Sequence, residues 1–255
     1  MSTGVRWLGH ASVVLDIDGV RILTDPLLRR HAHLLRRRGG EPAREHWQDP
    51  AAVLVSHLHH DHAEIASLVR VPRAPVLAAP ANARWLRSHR VPSAVGVPEG
   101  VWWPVPGTDV RIMAVPAVHG HRPMPHRPNA ACGFLVATPT WRAWFAGDTA
   151  PYPAMADLPA LAGGPIDLAL VPVGGWGPRL SGGHMDPTQA ARVCAAVGAR
   201  TAVPVHWGTL HSPLSRSLPP GWMDLAGPAF AVAVAREASG CTARVLQPGG
   251  AIVLD

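Results

Sequence analysis

No lysine occurs in this chain: every one of its 23 basic residues is arginine, and charged residues of both signs make up only 16% of the sequence. No apolar run reaches the length of about 18 residues that would indicate a membrane-spanning helix, so no transmembrane segment is expected. The first residues enter a strand-like pattern at Val5-Arg6-Trp7-Leu8 without a charged-then-apolar leader; no secretory signal is expected, and the cytoplasm is the default location. Cysteine is scarce. Cys132, Cys194 and Cys241 are odd in number, widely spaced and set among apolar neighbours. They read as small buried residues in a reducing compartment, and none lies near enough in sequence to the histidines described below to be drafted as a ligand.

What is present is enough for a large core. With 255 residues and 47% hydrophobic content, the chain reads as one domain over residues 1–255, with no internal repeat, low-complexity tract or long linker. The net charge of +6 and pI near 10.7 would suit a polyanionic partner, but an arginine-rich source genome accounts for them equally well. Arginine concentrates only between Arg29 and Arg44, where six occur with His31, His33 and His46 nearby. That stretch is either a solvated loop or a rim that attracts an anionic substrate.

The periodicity alternates strands and helices. Val5 to Leu8, Ala11 to Ile17 and Val20 to Thr24 read as antiparallel strands, with Asp18-Gly19 as a hairpin turn. Strands follow at Ala51 to Ser56, Val76 to Ala79, Trp102 to Val105, Val110 to Val115, Ala130 to Ala137, Arg142 to Ala146, Ile166 to Val173 and Thr201 to Val205. Helices are expected at Ala63 to Val69, Ala81 to Ser88, Ala154 to Leu161 and Pro228 to Ala238. Another should run from Pro187 to about Val197, because Asp186-Pro187-Thr188-Gln189 supplies an N-cap, a proline at the first position and a reach-back glutamine. Thr242 to Leu246 and Ala251 to Leu254 are expected to close the chain as a strand pair. The class is α/β.

One stretch organises the rest. Val53-Leu54-Val55-Ser56 is a buried strand that runs into His57-Leu58-His59-His60-Asp61-His62, and so many imidazoles beside a carboxylate are hard to satisfy by packing, whereas a divalent cation satisfies them together. Three other apolar strands end the same way: Met113 to Val118 at His119, Trp144 to Gly147 at Asp148, and Ala202 to Val205 at His206. Strand ends that converge on one rim are how α/β folds assemble sites. Asp25, at the end of Leu23-Thr24-Asp25-Pro26, is open to three readings: a cap, a turn residue, or a partner that orients a ligand histidine, the last being preferred.

The pattern His57-x-His59-x-Asp61-His62, followed by His119, Asp148 and His206, resembles the metallo-β-lactamase superfamily. Leu8-Gly9-His10-Ala11-Ser12, Leu23-Thr24-Asp25-Pro26, His184-Met185-Asp186-Pro187 and His206-Trp207-Gly208-Thr209 are similar to the branch that contains ascorbate-6-phosphate lactonase and N-acylphosphatidylethanolamine-hydrolysing phospholipase D. The resemblance implies an αββα four-layer sandwich, two mixed sheets face to face with helices on the outer faces. It puts His57, His59 and His119 on one metal ion, Asp61, His62 and His206 on a second, and Asp148 between them. Zinc is the first choice for both, with manganese or iron open because no ligand is a thiolate. His60 falls between motif positions and points elsewhere; His10 reads as a supporting or structural residue. Asp61 and His184 are the catalytic candidates, Asp61 to orient or deprotonate the attacking water and His184 to meet an oxyanion or leaving group. His121, Arg122, His126 and Arg127 either contact substrate or lie in a solvated, proline-stiffened loop.

The expected activity is metal-dependent hydrolysis of a small ester, lactone or phosphodiester by a hydroxide bridging two cations, with an anionic substituent favoured by the arginines of residues 29–44. β-Lactam hydrolysis is one alternative, and a non-catalytic metal-binding or ligand-sensing protein of the same fold is another. No long insert is present to form a nucleic-acid-binding cap, so nucleic acid is not expected as a partner. After His206-Trp207-Gly208-Thr209 the chain reads Leu210-His211-Ser212-Pro213, where the branch continues with an acidic, proline-ended pattern; the substrate is therefore not assigned by the resemblance.

Overall fold

The computed structural model describes residues 3–119, 127–128, 130–217 and 219–254. The chain opens on three antiparallel strands, β1 (Thr3–Gly9), β2 (Ser12–Ile17) and β3 (Val20–Thr24). Asp18 and Gly19 turn β2 into β3 with φ of 50° and 85°, the pair of left-handed residues that a two-residue hairpin of this hand requires. A hairpin of β4 (His31–Ala32) and β5 (Leu35–Arg37) precedes β6 (Ala52–Leu54), which returns parallel to β3. After α1 (Ile65–Leu68), β7 (Val76–Ala78), α2 (Pro80–Ser88) and β8 (Ala94–Gly96) extend that parallel half.

The second half begins with β9 (Trp102–Pro104), β10 (Arg111–Pro116), β11 (Cys132–Ala137) and β12 (Arg142–Phe145), all antiparallel. It then turns parallel through α3 (Leu158–Ala162), β13 (Leu168–Pro172), α4 (Pro187–Ala196) and β14 (Thr201–Val205). The short β15 (Leu210–His211), α5 (Ala226–Glu237), β16 (Thr242–Ala243) and β17 (Ala251–Leu254) complete it. Two mixed seven-stranded sheets result, ordered β17-β1-β2-β3-β6-β7-β8 and β16-β14-β13-β12-β11-β10-β9.

Strand period sorts the core into layers. Val13 and Leu15 of β2 point inward to meet Phe134, Trp144 and Phe145 of the second sheet, while Val14 and the neighbouring Leu23 and Val53 point outward to Leu68 of α1 and Ala83 and Leu86 of α2. Across the molecule, Ala190 and Cys194 of α4 and Phe230 of α5 close the outer face of the second sheet. Leu168, Ala169, Leu170 and Val171 are fully buried, as a central parallel strand covered on both faces must be. The arrangement is the expected αββα sandwich. The α4 cap forms as its sequence predicts, with Gln189 N–H donating to the Asp186 side chain (2.8 Å) and the Gln189 side chain accepting from Asp186 N–H (3.0 Å).

Two expectations change. The final strands do not pair with each other: β16 joins the edge of the second sheet beside β14, whereas β17 joins the first, with Thr3 opposite Leu254 and Val5 opposite Ile252. The turn at Gln247-Pro248-Gly249-Gly250 carries the chain between the sheets and is held by Trp7, whose carbonyl accepts from Gly249 N–H (2.6 Å). Residues 29–44 are not a plain solvated loop. Their β4–β5 hairpin pairs with β15 in a third, small sheet, and Arg37 is buried, donating to the carbonyls of Leu27 (3.0 Å) and Leu8. Strands of two or three residues are too short to show a period in sequence.

A glycine in α5 tests the packing. A Cβ at Gly227 would overlap the Trp207 indole, which is buried and stacked on Trp7 at 5.3 Å. Alanine at a helix position is worth about 1 kcal/mol over glycine, but overpacking a rigid ring costs about 1–3 kcal/mol, so the clash wins. Gly227→Ala is therefore expected to lower Tm by about 3–6 °C in a thermal melt; a rise would show that the Trp207 face is loosely packed.

Candidate metal centre

Four strand ends deliver the donors. β6 leads through Val55-Ser56 to His57, β10 to His119, β12 through Ala146-Gly147 to Asp148, and β14 directly to His206. The two sheets approach closely at Gly147, which has φ of 61°; a Cβ there would lie 2.7 Å from Ser56 Cβ and 2.9 Å from the Cys132 carbonyl. Only glycine brings Asp148 this near to the His57 strand.

Behind four of the imidazoles stands an acceptor that fixes the tautomer. The Nδ1–H of His62 donates to Asp25 Oδ2 (2.7 Å), that of His206 to the Gly174 carbonyl (2.9 Å) and that of His119 to the Gly183 carbonyl (2.9 Å). Asp25 also receives the Ser56 N–H (2.8 Å) and hydroxyl (2.6 Å), which leaves Ser56 Oγ to accept from His57 Nδ1 at 3.0 Å. Asp25 is thus the orienting partner preferred in the sequence reading.

With Nδ1 so engaged, Nε2 of His57, His62, His119 and His206 faces inward, where Nδ1 of His59 joins them. His57 Nε2 lies 2.8 Å from His59 Nδ1, which lies 3.1 Å from His119 Nε2; His62 Nε2 and His206 Nε2 are 3.1 Å apart and each 3.2 Å from Asp148 Oδ2. Asp61 Oδ2 is 3.8 Å from His62 Nε2 and 3.7 Å from His206 Nε2. Bare nitrogen lone pairs at such separations repel one another, whereas ligands sharing a tetrahedral cation at about 2.0–2.1 Å sit about 3.3 Å apart. Among the described residues Asp148 Oδ1 is buried without a hydrogen-bond partner, an unmet acceptor at the middle of the cluster. The residues present fit divalent metal. In each of the donor groups His57-His59-His119, His57-His62-Asp148, His10-Asp61-His62-His206 and His119-Asp148-His184, the ligand atoms lie within 4.8 Å of one another.

The electrostatics ask for positive charge at the same point. Burial opposes charging of His62, yet Asp148, Asp61 and Asp25 outweigh it and hold the imidazole well above its ordinary pKa. Burial and the neighbouring His62 keep His57 well below its own. Asp61 and Asp148 stay ionised despite their burial because surrounding histidines, His62 first for Asp61 and His206 first for Asp148, favour the carboxylate. In metal-free protein a proton on His62 stands where a cation would. Zinc uptake near pH 7 should therefore release about one proton, and apparent affinity should rise with pH until His62 is neutral. Calorimetry in buffers of different ionisation enthalpy reads this directly, and proton-neutral uptake would contradict it.

The other predicted residues fall into place around this core. His10 is buried, its Nε2 2.9 Å from Asp61 Oδ2, and burial followed by His206 lowers its pKa to about 3. His184 Nε2 lies 3.2 Å from Asp148 Oδ2 with Nδ1 3.1 Å from the Ser181 carbonyl; burial disfavours its charged form, but Asp148 raises its pKa above the ordinary value. His60 turns away and stacks on His33 at 4.9 Å, outside the donor groups. Arg127 neither contacts the centre nor floats free: it donates to the Leu58 carbonyl (2.8 Å) and lies over the Trp85 ring. His121, Arg122 and His126 lie outside the described residues.

A cavity of about 510 Å³ opens over Asp61, Asp148 and His184. Its wall includes Leu34 and Leu35 of the β4–β5 hairpin, Trp176, Leu180 and Arg179, and no arginine of residues 29–44 is among the lining residues; Arg38 instead pairs with Asp224 at 2.5 Å. Residues 29–44 thus reach the cavity through the apolar tip of the hairpin rather than through their arginines, and nothing in residues 31–37 marks a hairpin that folds back toward the histidines.

The sequence family described as a beta-lactamase superfamily domain matches residues 20–207, the span that runs from β3 through His57, His119 and Asp148 to His206. The chain belongs to the metallo-β-lactamase superfamily. Among relatives, an uncharacterized protein of Mycobacterium tuberculosis is 33% identical over 261 residues, covering 96% of this chain and 67% of that protein. The N-acyl-phosphatidylethanolamine-hydrolyzing phospholipase D 1 of Caenorhabditis elegans is 29% identical over 225 residues, 80% of this chain and 63% of that enzyme. Among solved structures, a metallo hydrolase of the archaeon Ignicoccus hospitalis shares the superfamily fold at a TM-score of 0.75 and 19% identity, with 100% of this chain and 99% of that one covered. Metal dependence in this superfamily member accords with the histidine and aspartate clusters described above.

Proposed function

We propose that this metal-dependent hydrolase of the metallo-β-lactamase superfamily holds two divalent cations, zinc before manganese or iron, and opens a small ester, lactone or phosphodiester bearing an anionic group. The observation that carries the reading is the inward convergence of His57, His62, His184 and His206 on Asp148, whose buried Oδ1 has no hydrogen-bond partner among the described residues. His57, His59 and His119 would hold one cation, Asp61, His62 and His206 the other, and Asp148 would lie between them. Two cations so placed supply an acidified water and a Lewis-acid pull on the substrate oxygen.

The chain's own residues do the rest. Asp61, fixed through Oδ2 by His10, keeps its other oxygen available to orient the attacking water or take its proton. His184 lines the cavity and, backed by the Ser181 carbonyl, is aimed to donate to a developing oxyanion or leaving group. Among the described residues Arg179 is the arginine in the cavity wall, and it supports an anionic substituent on the substrate. The phosphodiester draws support from the worm relative, which is named a phospholipase D. In this reading residues 1–255 act as one catalytic domain, supported by the core cluster that spans both sheets, and three free thiols support a reducing, cytoplasmic setting.

Turnover of an ester, a lactone, a phosphodiester and nitrocefin by metal-stripped and zinc-loaded protein tests the proposal. Hydrolysis of one of the first three, abolished by chelation and restored by zinc, is expected. Turnover of nitrocefin alone would favour β-lactam hydrolysis, and none across the panel would favour a non-catalytic metal-binding protein.

A further inference from the structure

Residue 10 touches two donors of the same half of the centre by two different routes. Its side chain holds Asp61, Nε2 to Oδ2, at 2.9 Å; its backbone carbonyl accepts the His206 N–H at 2.9 Å. Asp61 and His206 come from opposite halves of the chain, and the turn between β1 and β2 is where they are tied together. That turn is itself pinned. The His10 carbonyl also accepts from Trp7 Nε1 (2.8 Å), and the His10 N–H donates to Thr209 Oγ1 (2.8 Å). The residue stands in the left-handed region with φ of 54°, a conformation that a non-glycine residue adopts at a cost and that persists where surrounding contacts over-determine it.

Packing alone does not explain a histidine here. The ring is fully buried, and its Nδ1 has no hydrogen-bond partner among the described residues, which costs free energy that an apolar ring of the same size would not incur. Donation from Nε2 to Asp61 leaves Nδ1 bare, so the arrangement retains one good hydrogen bond at the expense of one unmet acceptor. The imidazole orients the carboxylate without cancelling its charge, and so leaves that charge to a cation. By contrast, His57 bonds to Ser56 and His59, and His119 to the Gly183 carbonyl and His59.

We propose that His10 is a positioning residue that sets the occupancy of the Asp61-His62-His206 half of the centre independently of the His57-His59-His119 half. The inference rests on the two-cation reading above and adds an asymmetry to it. Removing the Nε2–H frees Asp61 to rotate and weakens one half-site by about 10- to 100-fold, the effect typical of a lost partner behind a metal ligand; the other half-site keeps its affinity.

The test is zinc titration of metal-stripped protein by calorimetry, with bound zinc counted after gel filtration. His10→Phe keeps the ring volume and removes the donor; His10→Gln places an amide N–H near the former Nε2. Wild type is expected to take two equivalents, His10→Phe one tight and one weakened, and His10→Gln to return to within about threefold of wild type on both. Loss of both half-sites together in His10→Phe, no loss from either, or failure of His10→Gln to restore the weakened site each overturns the assignment. Thermal unfolding of the metal-stripped variants separates misfolding, which would weaken both sites alike, from a selective effect. A single equivalent in wild type would instead fail the two-cation reading itself, before any variant is compared.

Discussion

Asp148→Ala is expected to empty the centre. Asp148 Oδ2 lies within 3.2 Å of His62, His206 and His184 and 3.9 Å from His57, so it is the one carboxylate that reaches both sets of imidazoles. Its loss leaves Asp61, 3.8 Å from His62 and 3.7 Å from His206, as the carboxylate beside the histidines, and zinc affinity should fall by more than the roughly 100-fold that a lost supporting partner costs. Bound zinc after gel filtration should drop from two equivalents toward zero, and hydrolysis should vanish with it. Retention of two equivalents would show that Asp148 is not the shared ligand. The variant fold should survive, because the core between the sheets is built from Phe134, Trp144, Phe145 and their neighbours rather than from the centre.

Asp61→Ala should separate binding from chemistry. The side chain is held by His10 and faces the cavity over which substrate must approach, so its loss removes both one ligand of a half-site and the group that orders or deprotonates water. A fall in kcat of about 10²–10⁴-fold is expected, with the His57-His59-His119 half still loaded. Full activity in this variant would end the catalytic role given to Asp61. The comparison with Asp148→Ala is informative because the two carboxylates lie in one pocket yet serve different geometry: Asp148 lies between the halves, Asp61 on the outside of one.

Much of this was legible in the chain because it depends on local pattern. The four strands that end in His57, His119, Asp148 and His206 are continuous apolar runs, the signature of strands buried on both faces, and a buried strand has nowhere to put a histidine except at its end. Asp186-Pro187-Thr188-Gln189 carries its capping box in four letters and forms it. Asp25 was readable as a supporting partner only because it too ends a strand.

Other features were hidden because they depend on long-range register. Arg37 looks like one of a basic run, but β5 pairs with β15, more than 170 positions away in sequence, and the alternation of that tiny sheet turns Arg37 inward and Arg36 outward. The cavity wall at Leu34 and Leu35 follows from the same pairing. Thr242 and Ala251 begin two short segments with similar composition, yet the turn at Gly249-Gly250, anchored on Trp7, sends them to different sheets. His10 sits in a motif that carries no ligand spacing; its role becomes visible only when the β1–β2 turn is brought against His206.

The central claim is that the converging histidines and aspartates hold two cations rather than forming a self-satisfied polar cluster. Elemental analysis of the purified protein after reconstitution with zinc and removal of excess metal tests it most directly. Two equivalents per chain, falling toward none in Asp148→Ala, is the predicted result; a chain that retains less than one equivalent while still folded would contradict it.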